Sequence, residues 1–271
     1  YSSKGVDISG RMEDRNFPTR SAGDIFRMVM RGKPIYNAYW PNGLPGPDIE
    51  YGNNPVVVST KSTGYDQDKT YVFNSNFKVD IKIPWVEGLS IKGNAALDKN
   101  FRFHKNFQIP WYLYSFQGFD SSNQPIMQKG KKGVDDPRLF EEMADNLSIL
   151  LNGLVNYERK FGDHNVKMMV GVESIKGSGD NFNVFRRYFL SSSIDQMFAG
   201  GDKEKTTTGS AYKNARLNYF GRANYNYKEK YLAEFVWRYQ GSYIFDEASR
   251  FGFFPGASLG YRISEENFWK E

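Results

Sequence analysis

The clearest alternation of apolar and polar residues in this chain lies at Ala211–Tyr227, which reads AYKNARLNYFGRANYNY. Its odd-numbered positions are apolar or aromatic apart from Lys213, whereas its even-numbered positions are mostly Asn and Arg, with Tyr212 and Phe220 as exceptions. Successive side chains of a β-strand point to opposite faces, so this period of two indicates a strand with one apolar and one wet face. The segment is also longer than the ~3–10 residues of most strands in globular proteins.

The same period of two recurs through most of the chain. The segments that carry it are residues 71–83, 89–98, 147–158, 166–173, 231–243 and 251–263, with a weaker one at residues 6–12. Together with Ala211–Tyr227 they predict an all-β chain of about eight antiparallel strands.

The connections between these segments alternate strictly between short and long. The short ones, rich in Gly, Pro or charged residues as tight hairpins require, are residues 84–88, 161–165 and 228–230. The long ones are residues 13–69, 104–145 and 177–210, joined by a shorter one at 244–250. In an up-and-down sheet, alternate connections emerge at the same edge. This regularity is typical of outer-membrane β-barrels, which have short periplasmic turns and long extracellular loops.

Composition narrows the class of protein further. No window approaches the ~18 consecutive apolar residues of a membrane-spanning helix, so a helical membrane protein is excluded. The net charge of +5, from 36 basic and 31 acidic residues, is mild for 271 residues and argues against a nucleic-acid partner. Because the chain contains no cysteine, disulfides and thiolate metal sites are excluded.

The long connections contain two segments with helical spacing. Residues 21–32 are amphipathic, with Ser21 placed as an N-cap and Gly32 as a stop, and they predict a short helix. Residues 181–198 carry apolar side chains at near-helical spacing and predict a second one. We expect the long loops to pack as folded caps over one end of the sheet.

Several motifs resemble one known family. They are NYFGRANYNYKEKYL at 218–232, RFGFFPGASLGYRISEE at 250–266, IPWVEGLSIKG at 83–93, YWPNG at 39–43 and YGNNP at 51–55. In these segments the chain resembles the SusC/RagA-type TonB-dependent outer-membrane transporters of Gram-negative bacteria. The resemblance covers most of the chain.

This resemblance implies a location in the outer membrane, with lipid around the strands of a larger barrel. Such barrels have roughly 22 strands, an N-terminal plug domain inside, and a TonB-contacting segment before the plug. Nothing in residues 1–271 resembles the plug or that segment. We therefore expect residues 1–271 to be a partial TonB-dependent receptor barrel domain, with about eight consecutive transmembrane strands from the middle of the barrel.

The resemblance also implies a function and partners. The expected function is the import of large nutrients, with a glycan, oligosaccharide or peptide as cargo. A SusD-like surface lipoprotein would form a lid over the extracellular loops, and the TonB complex would act through the absent N-terminal parts. No cofactor is implied.

The chain shows no constellation typical of an enzyme. His104 and His164 are its only histidines, and we expect them at opposite edges of the sheet, which argues against a shared metal or a catalytic pair. Adjacent carboxylates such as Glu141 and Glu142 are more typical of surface charge than of a glycosidase pair. Asp66 and Asp68 have the spacing of the first two ligands of a calcium loop, but the rest of that motif is missing. We predict no catalytic, cofactor or metal site.

Three groups of residues are candidates for functional contacts. Aromatic loop residues that could stack on a sugar, grip a peptide or seat a lid are Trp40, Trp111, Tyr112 and Tyr114. Polar residues expected to face the lumen and the plug are Arg216, Arg222, Glu234 and Arg238. Aromatic residues expected at the membrane interface near the short turns are Trp85, Tyr227, Tyr231 and Trp269.

Two alternative interpretations remain open from the sequence. In a soluble all-β carbohydrate-binding protein, two sheets would pack their aromatic faces together. In a small self-closed eight-strand outer-membrane pore, a narrow lumen would have to hold Asn, Arg and Glu side chains. Strand length argues against the first, because many segments reach the ~9–11 residues that cross a bilayer at a tilt.

Overall fold

The computed structural model describes residues 2–33, 35–49 and 54–269. Its main feature is an eight-stranded sheet with antiparallel neighbours, in the order β1-β2-β3-β6-β7-β8-β9-β10. The strands are β1 Ser2–Phe17, β2 Gly64–Lys82, β3 Leu89–Gln108, β6 Arg138–Phe161, β7 His164–Arg187, β8 Thr206–Tyr227, β9 Tyr231–Ser242 and β10 Phe251–Tyr261. A separate hairpin consists of β4 Trp111–Phe119 and β5 Pro125–Lys132. The predicted all-β, up-and-down arrangement is confirmed.

The register gives the sheet two chemically different faces. Tyr219 lies opposite Val172 and Tyr239, whereas Asn218 lies opposite Glu173 and Gln240. Residues opposite each other in antiparallel strands share a face, so aromatic and aliphatic side chains accumulate on one side of the sheet. We call this side, with Leu151, Tyr219 and Phe235, the apolar face. The other side, with Asn218, Arg222 and Glu234, is the polar face.

Many large side chains of the apolar face are exposed. Phe235 is 46% exposed and Leu259 is 88% exposed, and neither belongs to a buried cluster. A β-sandwich would bury these side chains between two sheets. The structure therefore favours a membrane-facing sheet over the soluble alternative.

The strands are much longer than the sequence pattern predicted. β6 and β7 each contain 24 residues, and β3 runs on to Gln108. The predicted long connections at 13–69, 104–145 and 177–210 are correspondingly shorter, and this part of the prediction is wrong. The reason is that both faces of the strands carry polar residues beyond the apolar segment, so hydrophobic alternation no longer marks a strand.

The apolar face ends at a row of charged residues. On β3, apolar positions continue from Leu89 to Leu97 and are followed on the same face by Lys99. This length matches the ~9–11 residues that cross a bilayer at a tilt. On the other strands the apolar positions of this face are likewise followed, toward the long loops, by the charged residues Asp14, Lys69, Asp145, Lys176 and Lys213. We call the part of the apolar face between this row and the short turns the apolar band.

The first loop contains the predicted helix. Helix α1 covers Ala22–Arg31, Ser21 caps it by accepting a hydrogen bond from the Asp24 amide, and Gly32 follows its last residue. A second, one-turn helix, α2, covers Pro55–Val58. Among the described residues, no helix is both long and apolar enough to cross a membrane.

The prediction of a helix at residues 181–198 is wrong. β7 continues to Arg187 and pairs with β6 and β8, and the residues that follow contain only a 3₁₀ turn at Met197–Ala199. Pairing with two neighbouring strands satisfies the backbone of residues 181–187, which overrides their helical spacing.

The first two long loops share a small core. Met28 of α1 and Val57 and Val58 of α2 pack with Trp111 and Leu113 of the β4–β5 hairpin. The end of this hairpin depends on glycine, because Gly133 has φ +79° and a Cβ there would lie 2.3 Å from Nε1 of Trp111. The loops thus form a folded cap at the long-loop end of the sheet.

Candidate functional site

Charged and amide side chains cluster on the polar face at the long-loop end of the sheet. They come from alternate positions of three neighbouring strands, and their members are Asp66, Asp68, Arg102, His104, Asn106 and Glu142. We call this group the polar cluster. All six side chains are partly exposed, so the cluster could contact a molecule on the polar side of the sheet.

Arg102 holds the two outer strands of the polar cluster together. Its Nε donates to both carboxylate oxygens of Asp68 at 3.0 Å, and its Nη2 donates to Oδ2 at 2.6 Å. Nη1 also donates to Glu142 at 3.4 Å. This forked, charge-assisted arrangement fixes the guanidinium plane across β2, β3 and β6.

His104 occupies the centre of the polar cluster. Its Nε2 lies 2.6 Å from Oδ1 of Asp66, and its Nδ1 lies 3.9 Å from Glu142. Asn106 donates to the other oxygen of Asp66 at 2.9 Å. The prediction that His104 begins a loop is wrong, because β3 continues past it. Both carboxylates of the suggested calcium motif, Asp66 and Asp68, are engaged by these neighbours instead.

The opposite side of the same strands anchors the β7–β8 loop. Lys105 is 9% exposed, and its ammonium lies 3.4 Å from both Glu141 and Asp195. The Tyr65 hydroxyl also donates to Asp195. The hydrogen bond from Tyr65 and the charge of Lys105 hold the pKa of Asp195 below its ordinary value. Glu141 and Glu142 therefore lie on opposite faces of β6 and have separate roles.

The anchor at Asp195 predicts an acid-sensitive loop. Because its pKa is lower in the folded state, the Asp195 carboxylate stabilises the docked loop at neutral pH. That contribution is lost as the pH falls below the ordinary carboxyl value of about 3.9 and through the lower folded value. Hydrogen exchange of residues 188–205, corrected for the intrinsic pH dependence, should show faster opening at pH 3 than at pH 7.

The control for this prediction is Asp195→Asn in the complete protein. The variant should open faster than wild type at pH 7 and should lose part of the acid response. The remainder would come from Asp202 and Glu204, whose pKa values are also lowered by hydrogen bonds, from Lys205 and from Tyr188 respectively. An acid response of unchanged size in the variant would contradict the role of Asp195.

The loop aromatics predicted as ligand contacts lie together but differ in accessibility. Trp111 is buried in the loop core, at 4% exposure. Trp40 donates from Nε1 to the backbone oxygen of Tyr114 at 2.7 Å, which ties the first loop to the hairpin. Tyr112 is exposed, with the Lys129 ammonium 3.9 Å from its ring centroid. A ligand contact by these four residues stays a prediction.

The residues predicted to face a lumen all lie on the polar face. Arg222 donates from Nε to Glu234 at 2.8 Å, so these two side chains pair across β8 and β9. Arg238 lies opposite Phe220 and Phe254. Arg216 lines a recess of about 680 Å³, together with residues such as Asn74, Asp98, Asn100, Asn146 and Asn214. Contact with a plug stays a prediction for all four.

An aromatic ladder crosses the short-turn end of the apolar face. The ring centroids of His164 and Tyr227 are 4.7 Å apart, those of Tyr227 and Tyr231 are 6.3 Å apart, and those of Tyr231 and Tyr261 are 5.3 Å apart. Trp85 lies in the turn after β2, and Trp269 lies in a 3₁₀ turn after β10. Both tryptophans are largely exposed. Aromatic rings at this level are typical of the interface between a bilayer and water.

Named relatives match the chain along most of its length. TonB-dependent receptor P3 of Formosa agariphila is 26% identical over 257 residues, which are 92% of this chain and 23% of that protein. TonB-dependent receptor SusC of Bacteroides thetaiotaomicron is 26% identical over 282 aligned residues, with 100% of this chain and 25% of SusC covered. The chain is thus similar to TonB-dependent receptors, SusC among them, along most of its length. It spans about a quarter of the length of these curated relatives.

Solved structures show a similar fold. The chain superposes on the structure of the RagAB peptide transporter with a TM-score of 0.72 and 19% sequence identity. The superposition covers 99% of this chain and 29% of the RagAB chain. The RagAB peptide importer in its open-open state gives the same score. No protein-family model matches the chain.

Sequence reasoning missed the polar cluster. It placed residues 104–145 in a loop, although the alternation of Arg102, His104 and Asn106 continues the period of β3. Phe101, Phe103 and Phe107 occupy the other face of the same segment, so a search for alternation continued beyond Leu97 would have found the strand. The polar cluster could then have been predicted from the shared face.

Proposed function

We propose that this chain forms part of the barrel wall of a TonB-dependent importer in the outer membrane of a Gram-negative bacterium. The observation that carries the proposal is the two-faced sheet, whose exposed apolar band has the length of a bilayer and ends at charged residues. The relationship to SusC-type receptors supports the same function. The apolar face then meets lipid, and the polar face lines the interior of the barrel.

The polar face is suited to hold a polar domain inside the barrel. Arg216, Arg222, Glu234 and Arg238 project from this face, and charged side chains form strong hydrogen bonds when they are shielded from water. In the complete importer these residues would contact the plug, and the TonB complex would act on parts outside residues 1–271.

The folded loops are suited to contact cargo and a lid. The cap of α1, α2 and the β4–β5 hairpin carries exposed apolar side chains, among them Phe26 and Met30 of α1, both more than 60% exposed. An exposed apolar patch of this kind suits a protein partner, and a SusD-like lipoprotein is the lid we propose. The cargo we propose is a peptide or an oligosaccharide, and the likeness of the fold to that of the RagAB peptide importer favours the peptide.

Growth experiments with the complete gene would test the proposed function. A deletion strain should lose growth on a peptide mixture or on a purified oligosaccharide as the limiting nutrient, and the gene should restore it only when TonB is present. Equal growth of deletion and wild-type strains on every such nutrient would overturn the proposal.

A variant of the polar cluster makes the test more specific. Arg102→Ala removes the fork that binds Asp68 and leaves carboxylates unpaired, so we expect roughly tenfold slower uptake, equivalent to ~1.4 kcal/mol, with unchanged abundance in the outer membrane. The matched control is Arg159→Ala, which removes an arginine paired with Glu87 at 3.3 Å on the apolar face. Equal uptake by both variants would exclude a role of the polar cluster in transport.

A further inference from the structure

A recess opens on the apolar face at the level where the apolar band ends. Its volume is about 350 Å³, and its lining includes Leu147, Ile149, Lys176, Ser178, Lys213 and Tyr243. Lys213 is the residue that interrupts the apolar side of the segment Ala211–Tyr227. We call this cavity the lysine recess.

The register brings the two lysines of the lysine recess to neighbouring strands. Lys176 of β7 lies opposite Ile149 and Ala215, and Lys213 of β8 lies opposite Ser178. The two positions are thus diagonal neighbours on one face, close enough for both ammonium groups to reach one anion. Both side chains are exposed, and within the described part of the chain neither has an ion pair.

The nearby carboxylates form no ion pair with either lysine. Asp145 lies 2.5 Å from the Lys99 ammonium and is therefore already paired. Asp180 lies opposite Asp145, two residues beyond Ser178 toward the long loops. It forms no ion pair with a described residue. The lysine recess itself has no carboxylate in its lining.

The lysine recess lies at the charged end of the apolar band. Leu147, Ile149 and Ala215 give it apolar walls, and Lys176, Lys213, Ser178 and Tyr243 give it polar groups. Toward the short turns the apolar band continues with Leu151 and Leu217. An amphiphile with an acyl chain and an anionic headgroup has the same order of chemistry. A free anion would need only the charged end.

We propose that the lysine recess binds the phosphate of an anionic lipid in the leaflet on the long-loop side. This proposal rests on the proposed function, because it requires the apolar face to meet lipid. The two lysines form charge-assisted hydrogen bonds with the phosphate oxygens, Ser178 and Tyr243 donate further hydrogen bonds, and the acyl chains lie along the apolar band.

Lipid binding by the complete protein in detergent tests the proposal. The probe is bis-phosphorylated lipid A, compared with the same lipid after removal of both phosphates, and bound lipid is counted by native mass spectrometry. Wild type should prefer the phosphorylated form. The double variant Lys176→Gln, Lys213→Gln should bind it about 10- to 30-fold more weakly.

The matched control is the double variant Lys78→Gln, Lys82→Gln. It removes the same charge from exposed lysines of the polar face and should bind lipid A as wild type does. Unchanged lipid A binding by the Lys176 and Lys213 variant, or equal binding of dephosphorylated lipid, would overturn the proposal. Displacement of lipid A by excess inorganic phosphate alone would also overturn it, because it would indicate a free-anion site.

Cargo uptake by the same variants separates this proposal from the proposed function. Loss of lipid A binding with normal uptake in the Lys176 and Lys213 variant supports a lipid site in a working importer. If neither the wild-type protein nor any variant inserts into membranes, the proposed function itself fails. Normal insertion and uptake with wild-type lipid A binding in both variants contradicts only the lipid site.

Discussion

Replacing Leu151 by arginine should destabilise the inserted protein by about 2–4 kcal/mol. Leu151 lies in the middle of the apolar band, is 53% exposed, and is opposite Ala95 and Ser174. With the apolar face toward lipid, the guanidinium would enter hydrocarbon at a depth where it can reach neither water nor a carboxylate. The free energy of unfolding of the complete protein in lipid bilayers, measured by denaturant titration, gives the effect.

The neighbouring variant Asn152→Arg is the matched control. Asn152 lies on the polar face, opposite Asn94 and Glu173, so an arginine there meets water or a carboxylate and should change the unfolding free energy by less than ~1 kcal/mol. The two variants differ by one position in the sequence and by the face of the sheet. If Asn152→Arg were the more destabilising, the assignment of the two faces would be reversed.

Truncating Leu139 to alanine should loosen the β7–β8 loop at the long-loop end of the sheet. Leu139 has no exposed surface and packs with Phe107 and Phe189, although it lies on the same face as Leu151. Beyond the bilayer this face is covered by the β7–β8 loop rather than by lipid. Removing a buried leucine side chain typically costs ~2–5 kcal/mol, and here most of it should appear as undocking of residues 188–205.

Protease sensitivity of that loop, together with the unfolding free energy, measures the effect of Leu139→Ala. The control Leu151→Ala removes the same atoms from a lipid-facing position. Lipid can fill the space there, so no cavity remains and the loss should be under about 1 kcal/mol. Similar losses in both variants would show that the loop does not cover Leu139.

The strands within the membrane could be predicted because the bilayer imposes a strict alternation. At Ala211–Tyr227 each residue faces either hydrocarbon or a wet surface, and the sequence reports this directly. Beyond the apolar band, both faces of β2, β3, β6 and β7 meet water or loops. Lys105 and Glu141 then occupy positions on the apolar face, and the pattern that identifies a strand disappears.

The functional residues were harder to predict than the fold. Periodicity places Arg222 and Glu234 on one face, and the structure shows that they pair with each other. Periodicity does not indicate how deeply a loop residue is buried, so the sequence offered no reason to distinguish Trp111 from Tyr112. Tertiary packing buries Trp111 and leaves Tyr112 exposed. The polar cluster combines residues of β2, β3 and β6, and its shared face can be recognised only when β3 is followed beyond Leu97.

The strands continue past the bilayer for some distance, and this affects the mechanics of the molecule. Residues 138–145 of β6 lie beyond the apolar band and form a segment about 25 Å long at ~3.3 Å per residue. We call this segment, with its neighbours on the adjacent strands, the collar. Lateral pressure from lipid does not reach this collar, so its shape depends on interstrand hydrogen bonds, on the ion pairs of Arg102 and Lys105, and on the packing of the β7–β8 loop. A protein that binds at the outer edge of the collar would therefore tilt the collar as a rigid body instead of bending separate loops.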